Sequence, residues 1–151
     1  MPHTKDELIK LINLDEPDYP AIVAKLSKDD IPLLTQLAQD PNPAIATKAI
    51  SCLGYINDDR AFTGVETAAK SNNPVLRVAA THALRNMSSR PGTEMLLSKL
   101  LDDDDIGVKK FALKTIAVSK FSGLKEKVKQ MNLKETNDHL KNLSKEVMDK
   151  L

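Results

Sequence analysis

The chain has 151 residues, 22 basic and 21 acidic for a formal charge of +1, with 3 phenylalanines, 2 tyrosines and no tryptophan. That length suits one domain able to bury a core, and 41% hydrophobic against 28% charged residues excludes wholesale disorder. No apolar run approaches the roughly 18 residues of a membrane-spanning helix, and a single cysteine, Cys52, excludes an internal disulfide.

The opening residues, Met-Pro-His-Thr-Lys-Asp-Glu, lack the basic and apolar regions of a signal peptide, so the expected address is the cytoplasm. Thr4-Lys-Asp-Glu7 has the spacing of a capping box and predicts an amphipathic cap helix over 4–14, with His3 in a mobile segment before it. Residues 18–39 read as a degenerate helix pair: a short apolar segment, Ala21 to Leu26, precedes Leu34-x-x-Leu37-Ala38.

Three later segments superpose, beginning at Pro43, Pro74 and Ile106, with offsets of 31 and 32 residues. Their shared apolar positions are Ile45, Leu76 and Val108, then Ala49, Ala80 and Ala112, then Leu53, Leu84 and Ile116. Within each segment the three positions are four residues apart, which makes one helical stripe. Asn42, Asn73 or Asp105 stands just before each segment, where its side chain can accept free backbone N–H groups, and proline suits the first helical position. A second series follows each: Val65-x-x-Ala68-Ala69, Leu97-x-x-Leu100-Leu101 and Val128-x-x-Met131. Repeats are thus expected over 42–70, 73–101 and 105–131, each of two helices. In 133–151, Leu133, Leu140, Leu143, Val147 and Leu151 lie near one helical face, expected to cover the last repeat; Lys150 interrupts a coiled-coil register, which favours a monomer over a homodimer. A two-helix unit of this length cannot bury both apolar faces alone. The expected fold is therefore all-α: over 1–151, one domain forming a right-handed α-solenoid of about four helix pairs with N- and C-terminal capping helices.

Leu53-Gly-Tyr-Ile-Asn-Asp-Asp-Arg-Ala61, followed by Ser71-Asn-Asn-Pro-Val-Leu-Arg77 and Ala79-Ala80, closely resembles the pattern of HEAT-like repeats of the phycobilisome-lyase type. The resemblance spans roughly Asp18 to Met131; Ser89-Arg-Pro-Gly92 and Ser119-Lys-Phe-Ser122 depart from its Asp-containing turn. It implies HEAT-like helix pairs, which serve binding scaffolds and enzymes alike.

The enzyme readings that the resemblance brings meet specific objections. Deoxyhypusine hydroxylases of this repeat type hold iron with His-Glu pairs, and no His-Glu dipeptide occurs among His3, His82 and His139. A bilin-handling lyase, or an accessory subunit of an enzyme complex, is the alternative that the resemblance implies. Cys52, between Ala49 and Leu53, reads as a small packing residue rather than a reactive thiol. His82 shares its repeat position with Ser51 and Lys114 and is expected to be exposed; His139 and Asp138 point about 100° apart and form no dyad. Asp102-Asp-Asp-Asp105 fits a helix cap better than a cation site, because no glycine-containing calcium-loop spacing follows it. No catalytic residue, cofactor or metal ligand is assigned.

Charge is uneven along the chain: net −5 over Met1 to Asp105 and net +6 over Ile106 to Leu151. Lys109, Lys110, Lys114, Lys120, Lys125, Lys127 and Lys129 point toward nucleic-acid binding, which the near-neutral total and scarcity of aromatics oppose. The preferred reading is a non-catalytic scaffold for another protein. Its second helices would form a ladder on the concave side, with Gln36, Thr67, Lys99 and Gln130 in one row and Thr35, Glu66, Ser98 and Lys129 in the next.

Overall fold

A side-chain acceptor caps the start of seven of the ten α-helices among the described residues. In the computed structural model, which describes residues 2–151, Thr4 and Glu7 form the reciprocal capping box: Thr4 Oγ1 accepts the Glu7 N–H at 3.2 Å, and Glu7 Oε1 accepts the Thr4 N–H at 3.0 Å. Asn42, Asn73 and Asp105 accept from Ala44, Val75 and Val108 at 3.0, 3.0 and 2.9 Å. Each such bond satisfies an amide that has no partner within its helix. No strand occurs among the described residues.

The chain divides into two compact units, the first ending at Met87 and the second comprising Ser88–Leu151. The first holds α1 (Lys5–Ile12), α2 (Tyr19–Ala24), α3 (Ile31–Leu37), α4 (Pro43–Gly54), α5 (Asp59–Ala69) and α6 (Pro74–Ala83), which runs on into a 3-10 turn, Leu84–Met87. Helix α4 is its centre and packs against all five other helices. That explains why its buried arc, Ala49, Ile50, Cys52 and Leu53, is wider than the expected stripe, while Ile45 is only half-buried.

Asp30 is fully buried just ahead of α3. Its carboxylate accepts the Ser27 N–H at 2.9 Å and the His3 N–H at 2.5 Å, with His3 Nδ1 at 3.0 Å. The expectation of a mobile His3 is therefore corrected: a carboxylate with no access to water gathers every donor within reach, and His3 supplies two.

The second unit holds α7 (Thr93–Leu100), α8 (Ile106–Ser119), a 3-10 turn at Ser122–Leu124, α9 (Lys125–Lys134) and α10 (Asp138–Lys150). Helix α10 packs on α8 and α9, burying Leu140 and Val147 completely, while Leu143 and Leu151 are half-buried. Leu133 does not join this face. It lies in α9 and is 65% exposed, because Glu135 turns to extended backbone (φ −72°, ψ 132°) and Asn137 caps a new helix by accepting the Leu140 N–H at 3.0 Å. Asn132 Nδ2 fastens the two helices by donating to the Lys141 carbonyl at 2.7 Å and to Ser144 Oγ at 2.9 Å.

The two atypical turns use left-handed backbone. Gly92, at φ 95°, starts α7 without a side-chain cap, and Lys120, at φ 55°, ends α8. Across both units the equivalence read from the repeat holds for Ala49, Ala80 and Ala112 and for Leu53, Leu84 and Ile116, all fully buried.

Candidate functional site

The second helices of the pairs are α3 and α5 in the first unit and α7 and α9 in the second. Thr35, Glu66 and Ser98 are half-buried, and Gln36, Thr67 and Lys99, one residue on, are exposed; Lys129 and Gln130 are both exposed. Thr35 is committed to packing: its hydroxyl donates to the Ile31 carbonyl at 2.8 Å, and its side chain stands against Gly64 of α5. Thr67 also bonds its own helix, donating to the Thr63 carbonyl at 3.0 Å, and the Gln130 amide donates to Glu126 at 3.0 Å.

Two of these eight residues line a groove. In the first unit, Thr67 borders a groove of about 390 Å³ between the end of α3, the end of α5 and the start of α6. In the second unit, Gln130 borders one of about 460 Å³ between the end of α7, α8 and α9. The grooves occupy the same place in the repeat. Ala38 corresponds to Leu101, Gln39 to Asp102, Thr67 to Gln130, Ala68 to Met131, Ser71 to Lys134 and Asn72 to Glu135, each pair two repeat lengths apart. The remaining ladder residues lie outside both linings. The ladder register missed the rest of the lining because it combines loop residues at the ends of the second helices, such as Gln39, Ser71 and Asp102, with helical residues such as Lys109, Lys127 and Lys134 that converge only through packing.

The chemistry of the two grooves differs. Small neutral side chains dominate the first, with Lys70 its charged member. In the second, Lys127 Nζ pairs with Asp102 at 2.8 Å and Lys109 Nζ with Glu135 at 3.4 Å. Glu135 Oε1 also accepts the Asn137 N–H at 3.1 Å, and that bond first, with the Lys109 charge behind it, holds the Glu135 carboxyl below the usual carboxylate range.

The other singled-out residues are placed apart from these grooves. Asp105 caps α8 as expected, and its own N–H donates to Asp103 Oδ1 at 2.9 Å. Cys52 is fully buried, and burial pushes its thiol up to about 12, leaving almost no thiolate near neutral pH. His82 and His139 are exposed.

The HEAT repeats family matches residues 6–85 and, overlapping, 31–117. The chain belongs to the HEAT-repeat family. Its fold class is accordingly all-α, of the α-solenoid kind. The matched description does not name the phycobilisome-lyase type. No curated protein sequence matches this HEAT-repeat chain significantly. HEAT repeats commonly act as protein-interaction scaffolds and are typically non-catalytic. No helix among the described residues is long and apolar enough to cross a membrane.

Proposed function

We propose that this HEAT-repeat protein is a non-catalytic scaffold that holds a protein partner on its second-helix surfaces, α3 and α5 in one unit and α7 and α9 in the other. The recurrence of a groove at the same repeat position in both units carries the reading. A repeated fold offers repeated, similarly shaped contact places, and sequence differences between them set what each accepts. The exposed partners of the buried stripe, Gln36, Thr67, Lys99 and Gln130, with Glu66 and Lys129 beside them, supply polar contacts whose spacing within each unit is fixed by the packed core. The Cys52 thiol is fully buried, so the chain's own cysteine offers no accessible nucleophile.

The test is affinity capture from cells that express the protein, followed by titration of the captured partner against a variant carrying Glu66→Lys, Lys99→Glu and Lys129→Glu. Affinity should fall, and added salt should weaken the remaining association less than it weakens the parent's, while circular dichroism stays that of the parent. Unchanged affinity in the folded variant removes these residues from the binding surface.

A further inference from the structure

We infer that the groove of the second unit is a receptor for an acidic, extended peptide segment with two carboxylate side chains three residues apart. The inference rests on the scaffold reading and names the chemistry of the partner at one of its grooves.

The cations at the groove differ in how free they are to meet a ligand. Lys109 is not free: its side chain is 23% exposed, and it is held by Glu135, only 10% exposed and itself fixed by the Asn137 amide. Lys127 is available, because its partner Asp102 is 71% exposed and can turn into water. A pair of that kind is screened, holds two flexible side chains in place for little gain, and gives way readily to a better-placed carboxylate. Lys134, at the end of α9, is exposed and has no ion-pair partner among the described residues.

Lys127 and Lys134 are two turns apart on α9, roughly 10 Å along its axis. In a polyproline-type extended segment, side chains three residues apart project to one side about 9 Å apart. The two spacings match. Between the lysines, the Gln130 side-chain amide can turn from Glu126 to the peptide backbone, and Leu101 and Met131 give the groove an apolar floor for an intervening side chain. The unit that holds the groove, 88–151, is net +3 even with Asp102 to Asp105 counted, which favours approach of an acidic segment.

The equivalent groove in the first unit supplies an internal comparison. It has the same repeat position, but Ser71 stands where Lys134 does and Gln39 where Asp102 does. Six lining positions recur without the paired cations, so acidic recognition belongs to the second groove alone.

A short fluorescein-labelled peptide containing Glu-Pro-Leu-Glu, and its Gln-Pro-Leu-Gln counterpart, are titrated against the full chain by fluorescence anisotropy at about 50 and 200 mM salt. The acidic peptide should bind, more weakly at the higher salt, and the neutral one at least about tenfold more weakly. Lys127→Glu with Lys134→Glu should weaken acidic-peptide binding at least about tenfold, while Lys70→Glu in the other groove leaves it unchanged. Amide shifts on peptide addition should centre on Gln130 and Lys134. Absent binding, equal binding of the neutral peptide, an undiminished double variant, or duplex DNA competing as effectively as acidic peptide overturns the assignment. Failure of these arms, with the Glu66, Lys99 and Lys129 variant still losing its captured partner, refutes the groove chemistry and leaves the scaffold reading standing.

Discussion

Gly54, the last residue of α4, lies so close to Ala83, the last residue of α6, that a β-carbon on Gly54 would stand 2.9 Å from the Ala83 β-carbon and 3.0 Å from its α-carbon and carbonyl oxygen. The obstacle is largely backbone, so the helices themselves must part to admit a methyl group. In an open helix, Gly→Ala gains up to about 1 kcal/mol. Here overpacking dominates, and Gly54→Ala should cost about 1–3 kcal/mol. Gly123→Ala is the comparison, because only the movable Glu94 carboxylate stands in its way, and its stability should stay near the parent's. Thermal unfolding of both checks the contrast.

Lys120 ends α8 with positive φ, a conformation in which its β-carbon crowds the following carbonyl. Replacing Lys120 with Gly removes that crowding and should stabilise the protein by about 0.5–1 kcal/mol, the relief being partly offset by a more flexible unfolded chain. Lys120→Ala keeps the crowding and should change little. A Gly variant less stable than the Ala variant would show that the lysine side chain makes the turn favourable.

Burial alone would raise the Asp30 carboxyl, but the N–H of Ser27, then the amide and ring of His3, outweigh it and hold the group below its ordinary value of 3.8. A carboxyl depressed on folding adds stability that is fully present above that ordinary value and lost as pH falls through the lower folded one. Asp30→Asn should therefore cost about 1–3 kcal/mol at pH 7, from a buried network left half-satisfied. The gap between variant and parent should close below pH 3.8. Urea midpoints across that range decide it; a gap independent of pH would mean that the charge contributes nothing.

Much of this was legible in the sequence and some was not, for physical reasons. Asn42, Asn73 and Asp105 act locally, and the stripes ending at Leu53, Leu84 and Ile116 reflect helix geometry, so spacing alone carries both. The Asp30–His3 contact joins residues far apart in sequence through a buried carboxylate, and no local pattern announces it. Leu133 misled because helical periodicity continues smoothly through a break set by one extended residue, Glu135. At the grooves, the ladder register found Thr67 and Gln130 but not Asp102, Lys127 or Lys134, whose convergence depends on how helix ends meet.

Leu140 and Val147 are spent inside their own unit, which leaves α10 no continuous apolar seam for a second chain. The intact protein should sediment as a monomer. Removing 138–151 should expose the apolar faces of α8 and α9 and drive aggregation. Sedimentation of both forms tests this; an intact dimer that becomes a soluble monomer on truncation would assign α10 to self-association.

The burial of Cys52 has a practical corollary. With its thiol fully covered and pushed up to about 12, the native cysteine is silent toward maleimides at neutral pH while the fold persists. A new cysteine at an exposed position such as Gln36 or Lys129 would then be the sole site of dye attachment without removal of the natural one. The same property makes Cys52 an internal alarm: its sudden modification would report, at a single known atom, that the packing around α4 has opened.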